Sequence, residues 1–314
     1  MNLPDSVRIC EVGLRDGLQN EKDKDGNALV LKTEDKVEIL KSLADAGYKV
    51  IEAGSFMHPK RVPQMADTDE VMKQIAGKIP DDVELRVLIP NLKGVQRALD
   101  CGAKKVKLNV SASRMHNLKN LNRTPEESVA GFEDCVKFAN EHKIEISGSI
   151  SMPFASPWEG RTPVEDVDAI IEAYLKLGIN EISLSDASGM AVPNQVFDLC
   201  EHVRAKYPQA TWWLHFHNTR GVAMANILAA MQAGMTQFDS SFGGLGGCPF
   251  VPGAAGNISS EDVIHMLDES GIKTGIDVLK VMAISRKVSE LVGHKLESYV
   301  LRAGRSKDLI GTQG

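Results

Sequence analysis

The chain has 314 residues, of which 43% are hydrophobic and 25% are charged, and its formal net charge is −6. This is the composition of a globular protein, and the negative charge offers no basic surface to nucleic acid or to an anionic membrane. No apolar run approaches the roughly 20 residues that a membrane-spanning helix needs. We therefore expect neither a nucleic-acid nor a membrane partner.

The N-terminus and the cysteines both favour the cytoplasm. Met1–Arg8 has neither the regions of a secretory signal nor the composition of a transit peptide. The five cysteines are odd in number and widely spaced, which argues against a disulfide framework and a thiolate zinc site. Four of them lie inside predicted elements and are interpreted as small core residues: Cys10, Cys101, Cys135 and Cys200. The fifth, Cys248, lies in a glycine-rich loop.

Short β-branched runs alternate with amphipathic segments along the chain. The predicted strands are Val7–Gly13, Lys49–Gly54, Val83–Ile89, Lys105–Val110, Ile144–Ser151, Glu181–Ser185, Thr211–His217 and Thr236–Ser240. The predicted helices are Thr33–Ala46, Thr68–Ile75, Leu92–Cys101, Pro125–His142, Val164–Leu177, Asn194–Lys206, Thr219–Ala233 and Ser260–Glu269. Eight such units predict an α/β fold, a closed (β/α)8 TIM barrel over about residues 7–272. An open doubly wound sheet is the alternative, although no G-x-G-x-x-G turn follows the first strand.

Helix punctuation agrees with this division of the chain. Five glycines stand where a helix ends, the usual place for a left-handed cap: Gly47, Gly102, Gly178, Gly234 and Gly271. Thr124 and Thr162 each precede a proline, which predicts a capping threonine followed by proline at the first helical position. Additional C-terminal helices are expected over about residues 273–303. We expect residues 1–314 to form a single catalytic domain.

Active sites of TIM barrels lie at the carboxyl ends of the strands. The polar residues at those ends are Arg15, Asp16, Glu52, Ser55, Asn91, Ser185, Asp186, His215, His217 and Asn257. Because separate strand–helix units supply these residues, they are expected to converge on one mouth.

His215 and His217 form the most distinctive pair. Side chains two apart in a strand project to one face, so both imidazoles point the same way. Asp16 adds a carboxylate oxygen at the same rim, and Asn257 could add an amide oxygen. This oxygen and nitrogen set suits a divalent cation, with Mg²⁺, Mn²⁺, Co²⁺ and Zn²⁺ all compatible. Two histidines hydrogen-bonded in a core are the alternative.

Four further residues each allow two interpretations or more. Arg15 either stabilises negative charge on an enolate or forms an ion pair at the mouth, with Glu11 as one partner. Glu52 lies on an apolar strand, where it either pairs with a neighbouring arginine or acts on substrate. Asp186 is either a helix cap or a site residue. Cys248 could be a general acid or base, a nucleophile, or a small residue in a tight turn.

Several motifs resemble one family closely. Glu11–Glu21, with the sequence EVGLRDGLQNE, resembles the opening signature of the 3-hydroxy-3-methylglutaryl-CoA (HMG-CoA) lyases. Val50–Phe56 and Val62–Met65 do so as well. The cysteine loop Gly243–Asn257 matches the family's signature nearly residue for residue. The likeness extends from about Val7 to Gly275.

The resemblance implies a divalent-metal-dependent carbon–carbon lyase that cleaves an acyl-CoA by retro-Claisen chemistry. It implies four ligands of Mg²⁺ or Mn²⁺: Asp16, His215, His217 and Asn257. By likeness, Arg15 would stabilise the enolate, and Cys248 would protonate the acetyl-CoA carbanion. Glu52 would contact the hydroxyl-bearing region of the substrate, with Asp186 assisting. The expected partner is an acyl-CoA, and the expected assembly is a homo-oligomer.

Three stretches depart from the family's pattern. Ser147-Gly148-Ser149 stands where Arg-Gly-Tyr is common, Ser185-Asp186-Ala187 replaces Gly-Asp-Thr, and Asn218-Thr219-Arg220 replaces Asp-Thr-Tyr. Loss of a phenol and an arginine could admit a larger or differently charged acyl group. Citramalyl-CoA or a longer 3-hydroxy-3-alkylglutaryl-CoA is therefore an alternative to HMG-CoA. A Claisen-condensing synthase, which generally carries extra C-terminal domains, a metallohydrolase and a non-catalytic metal-binding protein are further alternatives.

Overall fold

Eight parallel strands close into a barrel in a computed structural model that describes residues 1, 3–247 and 256–308, with only the backbone at position 120. The strands are β1 Arg8–Glu11, β2 Val50–Ser55, β3 Glu84–Leu88, β4 Lys105–Ser111, β5 Glu145–Ser151, β6 Glu181–Asp186, β7 Thr211–Phe216 and β8 Gln237–Ser240. They follow one another in chain order around the ring, and β1 pairs with both β2 and β8. The predicted TIM barrel is confirmed.

Helices surround the barrel in the described part of the chain. They are α1 Thr33–Asp45, α2 Thr68–Ile75, α3 Leu92–Asp100, α4 Arg114–Leu121, α5 Pro125–Ala130, α6 Glu133–Glu141, α7 Val164–Lys176, α8 Pro193–Lys206, α9 Ala223–Gln232, α10 Ser260–Glu269, α11 Val278–Val292 and α12 Tyr299–Ala303. The expected C-terminal helices are thus present, and α11 packs against α1, α10 and the turn Phe242–Gly244. None of the described helices combines the length and apolar character of a membrane span.

Two predicted helices were wrong in their bounds and one helix was not predicted, each for a local reason. The segment predicted as Pro125–His142 is two helices, because the helix is interrupted at Gly131 and the Phe132 ring stacks against the Tyr174 ring. Helix α9 starts at Ala223 rather than Thr219, since Gly221 has a φ of 69° that an α-helix cannot contain. Helix α4 was missed because its mostly polar sequence has no apolar stripe.

Most of the predicted helix caps are confirmed. The five glycines predicted to end helices all have positive φ. Thr124 forms a capping box with Glu127, as its hydroxyl accepts from the Glu127 N–H and the Glu127 carboxylate accepts from the Thr124 N–H. Thr162 does not cap α7, because its hydroxyl donates instead to the Met152 carbonyl oxygen at 2.8 Å.

Strands β4, β5 and β6 place apolar side chains towards the helices and polar side chains inside the barrel. On β4, Val106 and Leu108 are fully buried in the main core, whereas Lys105 and Lys107 carry buried charges. At the amino end of the strands, Lys105 contacts Glu181 at 2.6 Å and Glu84 at 3.1 Å. These ion pairs fill the barrel interior at the amino ends of the strands, so the open space lies at the carboxyl ends.

Glu11, on β1, is a buried carboxylate that holds the chain segment following β8. Its Oε1 accepts from the N–H of Gly13 at 2.8 Å and of Phe242 at 2.9 Å, and its Oε2 accepts from the Ser260 hydroxyl at 2.6 Å. Burial raises the pKa of Glu11 to about 7, although these hydrogen bonds act in the opposite direction.

We expect the Glu11→Gln variant to lose less stability than the wild type as pH rises. Because the pKa of Glu11 is above the ordinary 4.5 in the folded state, the folded protein binds more protons than the unfolded chain between about pH 4.5 and 7. The contribution of protonated Glu11 to the free energy of unfolding, about 3 kcal/mol, is therefore fully present below pH 4.5 and is lost as the pH rises through 7. Urea unfolding at pH 5, 6, 7 and 8 measures this. The exposed substitution Glu201→Gln is the control, and equal pH profiles for Glu11→Gln and wild type would contradict the assignment.

Candidate active site

Five of the predicted site residues line one cavity of about 320 Å³ at the carboxyl ends of the strands: Arg15, Asp16, Ser185, His215 and His217. The other predicted residues that the structure describes are not in its lining, and Asn91 instead caps α3 through its side chain. The polar lining of the cavity comes from several strands, from the loop after β1 and from later segments at the mouth: Arg15, Asp16, Gln19, Asn20, Arg61, Lys107, Asn109, His116, Lys119, Ser149, Ser151, Ser183, Ser185, His215 and His217. The cavity therefore lies where the TIM-barrel prediction placed the active site.

The loop after β1 positions Arg15 and Asp16. Gly13–Gly17 forms one π-helical turn, in which the N–H groups of Arg15, Asp16 and Gly17 all approach the Val12 carbonyl oxygen. Gly13 permits this turn because a Cβ there would lie 2.5 Å from Cε1 of Phe242. The two charged side chains consequently point into the barrel mouth and are almost completely buried.

Asp16, His215 and His217 form a compact cluster of metal-ligand types. One donor atom from each lies within 4.8 Å of the others. His217 Nε2 is 3.4 Å from Asp16 Oδ2, and His215 Nε2 is 3.8 Å from the same oxygen. The chain after β8 returns to form a bridge between His217 and Asn257. Asn257 thus reaches the same place.

The hydrogen bonds behind the donor set orient it towards a divalent ion. His215 Nδ1 lies 3.2 Å from Asp239 Oδ2, which leaves Nε2 facing Asp16. His217 Nδ1 is buried without a hydrogen-bond partner in the described structure. One carboxylate and two imidazoles with a supporting carboxylate behind them fit a divalent cation. Asn257 differs from expectation in orientation, since its Nδ2 donates to Asp16 Oδ2 at 2.8 Å.

Arg15 joins Asp16 to Glu52. Its Nε donates to Glu52 Oε2 at 2.6 Å, and its Nη1 donates to Asp16 Oδ1 at 2.5 Å. Of the two interpretations of Glu52, the pairing with an arginine is present, and a role of Glu52 on substrate stays a prediction. Arg15 does not pair with Glu11, whose carboxylate accepts from Gly13, Phe242 and Ser260. Burial alone lowers the pKa of Arg15 and raises that of Asp16. Attraction to Glu52 and Asp16 reverses the shift of Arg15, and attraction to Arg15, with a hydrogen bond from His217, reverses the shift of Asp16. Both side chains are therefore charged.

Two buried charged residues of the site were missed in the sequence. Lys107, on β4, and Asp239, on β8, meet inside the barrel at 3.5 Å. Burial opposes ionisation of both, yet each attracts the other, so the pKa of Asp239 falls to about 2 and that of Lys107 rises. A signal was available, because every second residue of β4, β5 and β6 is polar. This alternation indicates a polar barrel interior.

Asp186 makes the contacts of a loop-stabilising residue. Its Oδ1 accepts from the N–H of Met190 at 3.1 Å and from the Ser188 hydroxyl at 3.0 Å, and its Oδ2 accepts from the Ala191 N–H at 3.0 Å. The neighbours Ser185 and Ala187 line the cavity. A catalytic role for Asp186 stays a prediction.

The cysteines divide as the sequence indicated. Cys10, Cys101, Cys135 and Cys200 are free and buried, as predicted. Cys248 lies outside the described residues, so its role stays a prediction. Gly247, which precedes it, lines the cavity and accepts from Asn20 Nδ2 through its carbonyl oxygen at 2.6 Å.

Comparison with known proteins assigns the chain to a family. A sequence model of the HMGL-like family matches residues 6–288. The chain belongs to the HMGL-like family. One relative, the mitochondrial hydroxymethylglutaryl-CoA lyase of Macaca fascicularis, is 40% identical over 301 residues, which cover 96% of this chain and 90% of the relative. The hydroxymethylglutaryl-CoA lyase YngG of Bacillus subtilis is 38% identical over 306 residues, covering 98% and 100%.

Solved structures agree with this HMGL-like assignment. An HMG-CoA lyase from Acinetobacter baumannii, in complex with coenzyme A and 3-methylmalate, is 41% identical, with a TM-score of 0.91 and 97% coverage of both chains. The carboxyl transferase domain of Rhizobium etli pyruvate carboxylase, at 18% identity and a TM-score of 0.71, shares the fold alone. This HMGL-like protein is a lyase of a metal-dependent family.

Proposed function

We propose that this HMGL-like protein cleaves HMG-CoA to acetyl-CoA and acetoacetate with the aid of a divalent metal ion. The observation that carries the proposal is the placement of the Arg15–Glu52 ion pair beside Asp16, His215 and His217 in one cavity. Relatives of about 40% identity over nearly the whole chain bear the name hydroxymethylglutaryl-CoA lyase. The site thus combines metal ligands with a buried cation, which an enolate-forming cleavage requires.

Asp16, His215 and His217 would hold Mg²⁺ or Mn²⁺, with Asn257 as the further ligand that the resemblance implies. When bound, the ion supplies Lewis-acid polarisation of the substrate oxygens, which favours loss of the hydroxyl proton. Asp239 would keep the His215 ring in one orientation through the 3.2 Å contact to Nδ1.

The remaining residues would handle the charge and the proton of the cleavage. The substrate hydroxyl would give its proton to a base, for which His215 and a water molecule are the candidates, and its carbon would become the keto carbon of acetoacetate. The bond between this carbon and the carbon next to the thioester breaks, and its electron pair leaves with the acetyl-CoA fragment as an enolate. The Arg15 guanidinium, fixed by Glu52, would stabilise the negative charge on the thioester oxygen. The Cys248 thiol would then donate a proton to the carbanion and complete acetyl-CoA.

A related substrate is the second candidate, on the basis of the cavity wall. Ser149 stands where the family commonly has tyrosine, and Ser147 stands where it commonly has arginine. The wall of β5 and β6 is lined by serine hydroxyls. The relative from A. baumannii is described with 3-methylmalate, a C4 dicarboxylate backbone. Citramalyl-CoA or a longer 3-hydroxy-3-alkylglutaryl-CoA would fit such a polar, widened wall.

One assay distinguishes these possibilities. Purified protein with Mg²⁺ or Mn²⁺ is given HMG-CoA, citramalyl-CoA and a 3-hydroxy-3-alkylglutaryl-CoA in parallel, and acetyl-CoA is measured together with the keto product. Acetoacetate is the expected product from HMG-CoA, and pyruvate would report citramalyl-CoA cleavage. Absence of metal-dependent acetyl-CoA release from every substrate would overturn the proposed lyase activity.

The Cys248→Ser variant is expected to lose about 10²-fold or more in kcat, because an alcohol is a far weaker general acid than a thiol. Its metal content should equal that of the wild type, since the thiol is not among the proposed ligands. Cys101→Ser is the matched control, because the Cys101 thiol faces the Ala98 carbonyl oxygen at 3.4 Å, a contact that a hydroxyl can keep. Wild-type turnover in Cys248→Ser would exclude the general-acid role.

We also infer a homo-oligomeric enzyme of the cytoplasm. The four described cysteines are free, which fits a reducing compartment. Relatives carry both mitochondrial and cytoplasmic designations. Light scattering after size-exclusion chromatography and fractionation of source cells test the two inferences, and a monomeric mass or a membrane-enclosed location would contradict them.

A further inference from the structure

Lys107 is a buried ammonium group whose hydrogen-bonding capacity is mostly unused. Its side chain is 4% exposed and forms part of the cavity wall. Nζ lies 3.5 Å from Asp239 Oδ2 and 3.4 Å from Glu52 Oε1, but only the first contact has hydrogen-bond geometry. An ammonium carries three donors, and burying one with donors unused is costly. A ligand oxygen would meet this requirement.

Lys105 provides an internal comparison on the same strand. Its side chain is 6% exposed, and its Nζ donates to Glu181 at 2.6 Å and to Glu84 at 3.1 Å. It does not line the active-site cavity. A lysine buried for structural reasons in this barrel is thus closely paired within the protein, whereas Lys107 keeps longer contacts and faces open space.

The surroundings of Lys107 also suit an anion. The Ser183 hydroxyl, on the same cavity wall, is buried without a hydrogen-bond partner in the described structure. Lys107 pairs in register with Ser147, the position at which related lyases commonly have arginine. The neighbouring strand therefore supplies the cation that β5 lacks.

With a divalent ion bound, the formal charges of the site would be balanced by one substrate carboxylate. The buried cations are Arg15 and Lys107. The carboxylates in contact with them are Asp16, Glu52 and Asp239, so the cluster carries −1. A divalent ion would bring the total to +1, which one carboxylate neutralises. Without Lys107 the same complex would carry −1 in a buried site, which is unfavourable.

We propose that Lys107 is a specificity-determining residue whose ammonium binds the carboxylate at the end of the acyl group remote from the thioester. The Ser183 hydroxyl is a second donor to that carboxylate. The inference rests on the proposed function and deepens it, because it makes the acyl group an anion and excludes acyl groups that end in an uncharged alkyl chain.

The test is an equilibrium binding ratio. 3-Hydroxyglutaryl-CoA and 3-hydroxybutanoyl-CoA differ in that a carboxymethyl group replaces a methyl group. We expect the wild type with Mg²⁺ to bind the first about 10- to 100-fold more tightly, as for hydrogen bonds to charged groups. In Lys107→Met the ratio of the two Kd values should fall to about one. Lys107→Arg should keep most of the ratio, and Lys105→Met should keep all of it.

The ratio separates this proposal from the proposed function. Both ligands are measured on the same variant, so a general disturbance of the site cancels. Lys107→Gln gives a second neutral variant if the methionine variant does not fold, with melting temperatures as the check. A wild-type ratio in the folded neutral variants would overturn the role of Lys107, even in an active lyase. Absence of acetyl-CoA release by the wild type would overturn the lyase proposal, whatever the ratio.

Discussion

Asp16→Asn is expected to lose its divalent ion at micromolar metal concentrations and to lose at least about 10³-fold in kcat/KM. Asparagine preserves the shape of the side chain but removes the negative charge. In the wild type, that charge faces His215 and His217 and is held by Arg15. Without it, a neutral amide and two imidazoles would have to bind the ion beside a guanidinium, which is electrostatically unfavourable.

The metal affinity of Asp16→Asn is measured as metal content by mass spectrometry after dialysis. Its activity is measured as acetyl-CoA release at a series of Mg²⁺ concentrations. Asp262→Asn is the matched control. Asp262 is also a buried, hydrogen-bonded aspartate, but it accepts from the Ser298 hydroxyl at 2.9 Å and from the Val300 N–H at 2.8 Å. The Asp262→Asn substitution is expected to lower the melting temperature and to leave the metal content unchanged. Wild-type metal affinity in Asp16→Asn would remove Asp16 from the ligand set.

Arg15→Met is expected to lower kcat by about 10²- to 10³-fold, as for loss of an oxyanion-stabilising group. The guanidinium is fixed by Glu52 and Asp16, so it costs little reorganisation when negative charge develops. Because Arg15 is not a ligand, the KM for metal should change much less than kcat. Arg15→Lys should recover only part of the loss, since an ammonium lacks the fork that holds both carboxylates.

The control for Arg15 is the other buried, doubly paired arginine, Arg86. It contacts Glu84 and Glu181 at the amino end of the strands and does not line the cavity. Arg86→Met should reduce the free energy of unfolding and leave kcat of the folded enzyme close to wild type. If Arg15→Met kept kcat within tenfold of the wild type, the enolate would have to be stabilised by another group.

The barrel was predictable because its signals are local. Runs such as Thr211–Phe216 and the alternating segments between them follow from side-chain chemistry and backbone preference within ten residues or so. The start of α9 was not predictable in this way. The predicted helix included the four residues that precede α9, but Gly221 adopts a left-handed conformation that ends any helix there. The polar helix α4 likewise forms without the apolar stripe from which helices are usually recognised.

The site was predictable where its residues are close in sequence or share a familiar motif. His215 lies on β7 and His217 directly follows the end of that strand, and Asp16 follows Arg15 in the chain. Lys107 and Asp239 were missed because their contact joins β4 to β8 across the barrel. Such a contact depends on strand register and on the inward tilt of two side chains. Neither is visible in a single linear pattern.

The sequence alone determined the alternation of strands and helices and the metal-ligand residue types expected at the mouth. Only the tertiary structure decided which charges share the barrel interior. It paired Arg15 with Glu52 instead of Glu11, and among the described residues it left the Lys107 side chain with a single long hydrogen bond. The reason is physical: composition and periodicity are properties of the chain, whereas the cost of a buried charge depends on every strand that surrounds it.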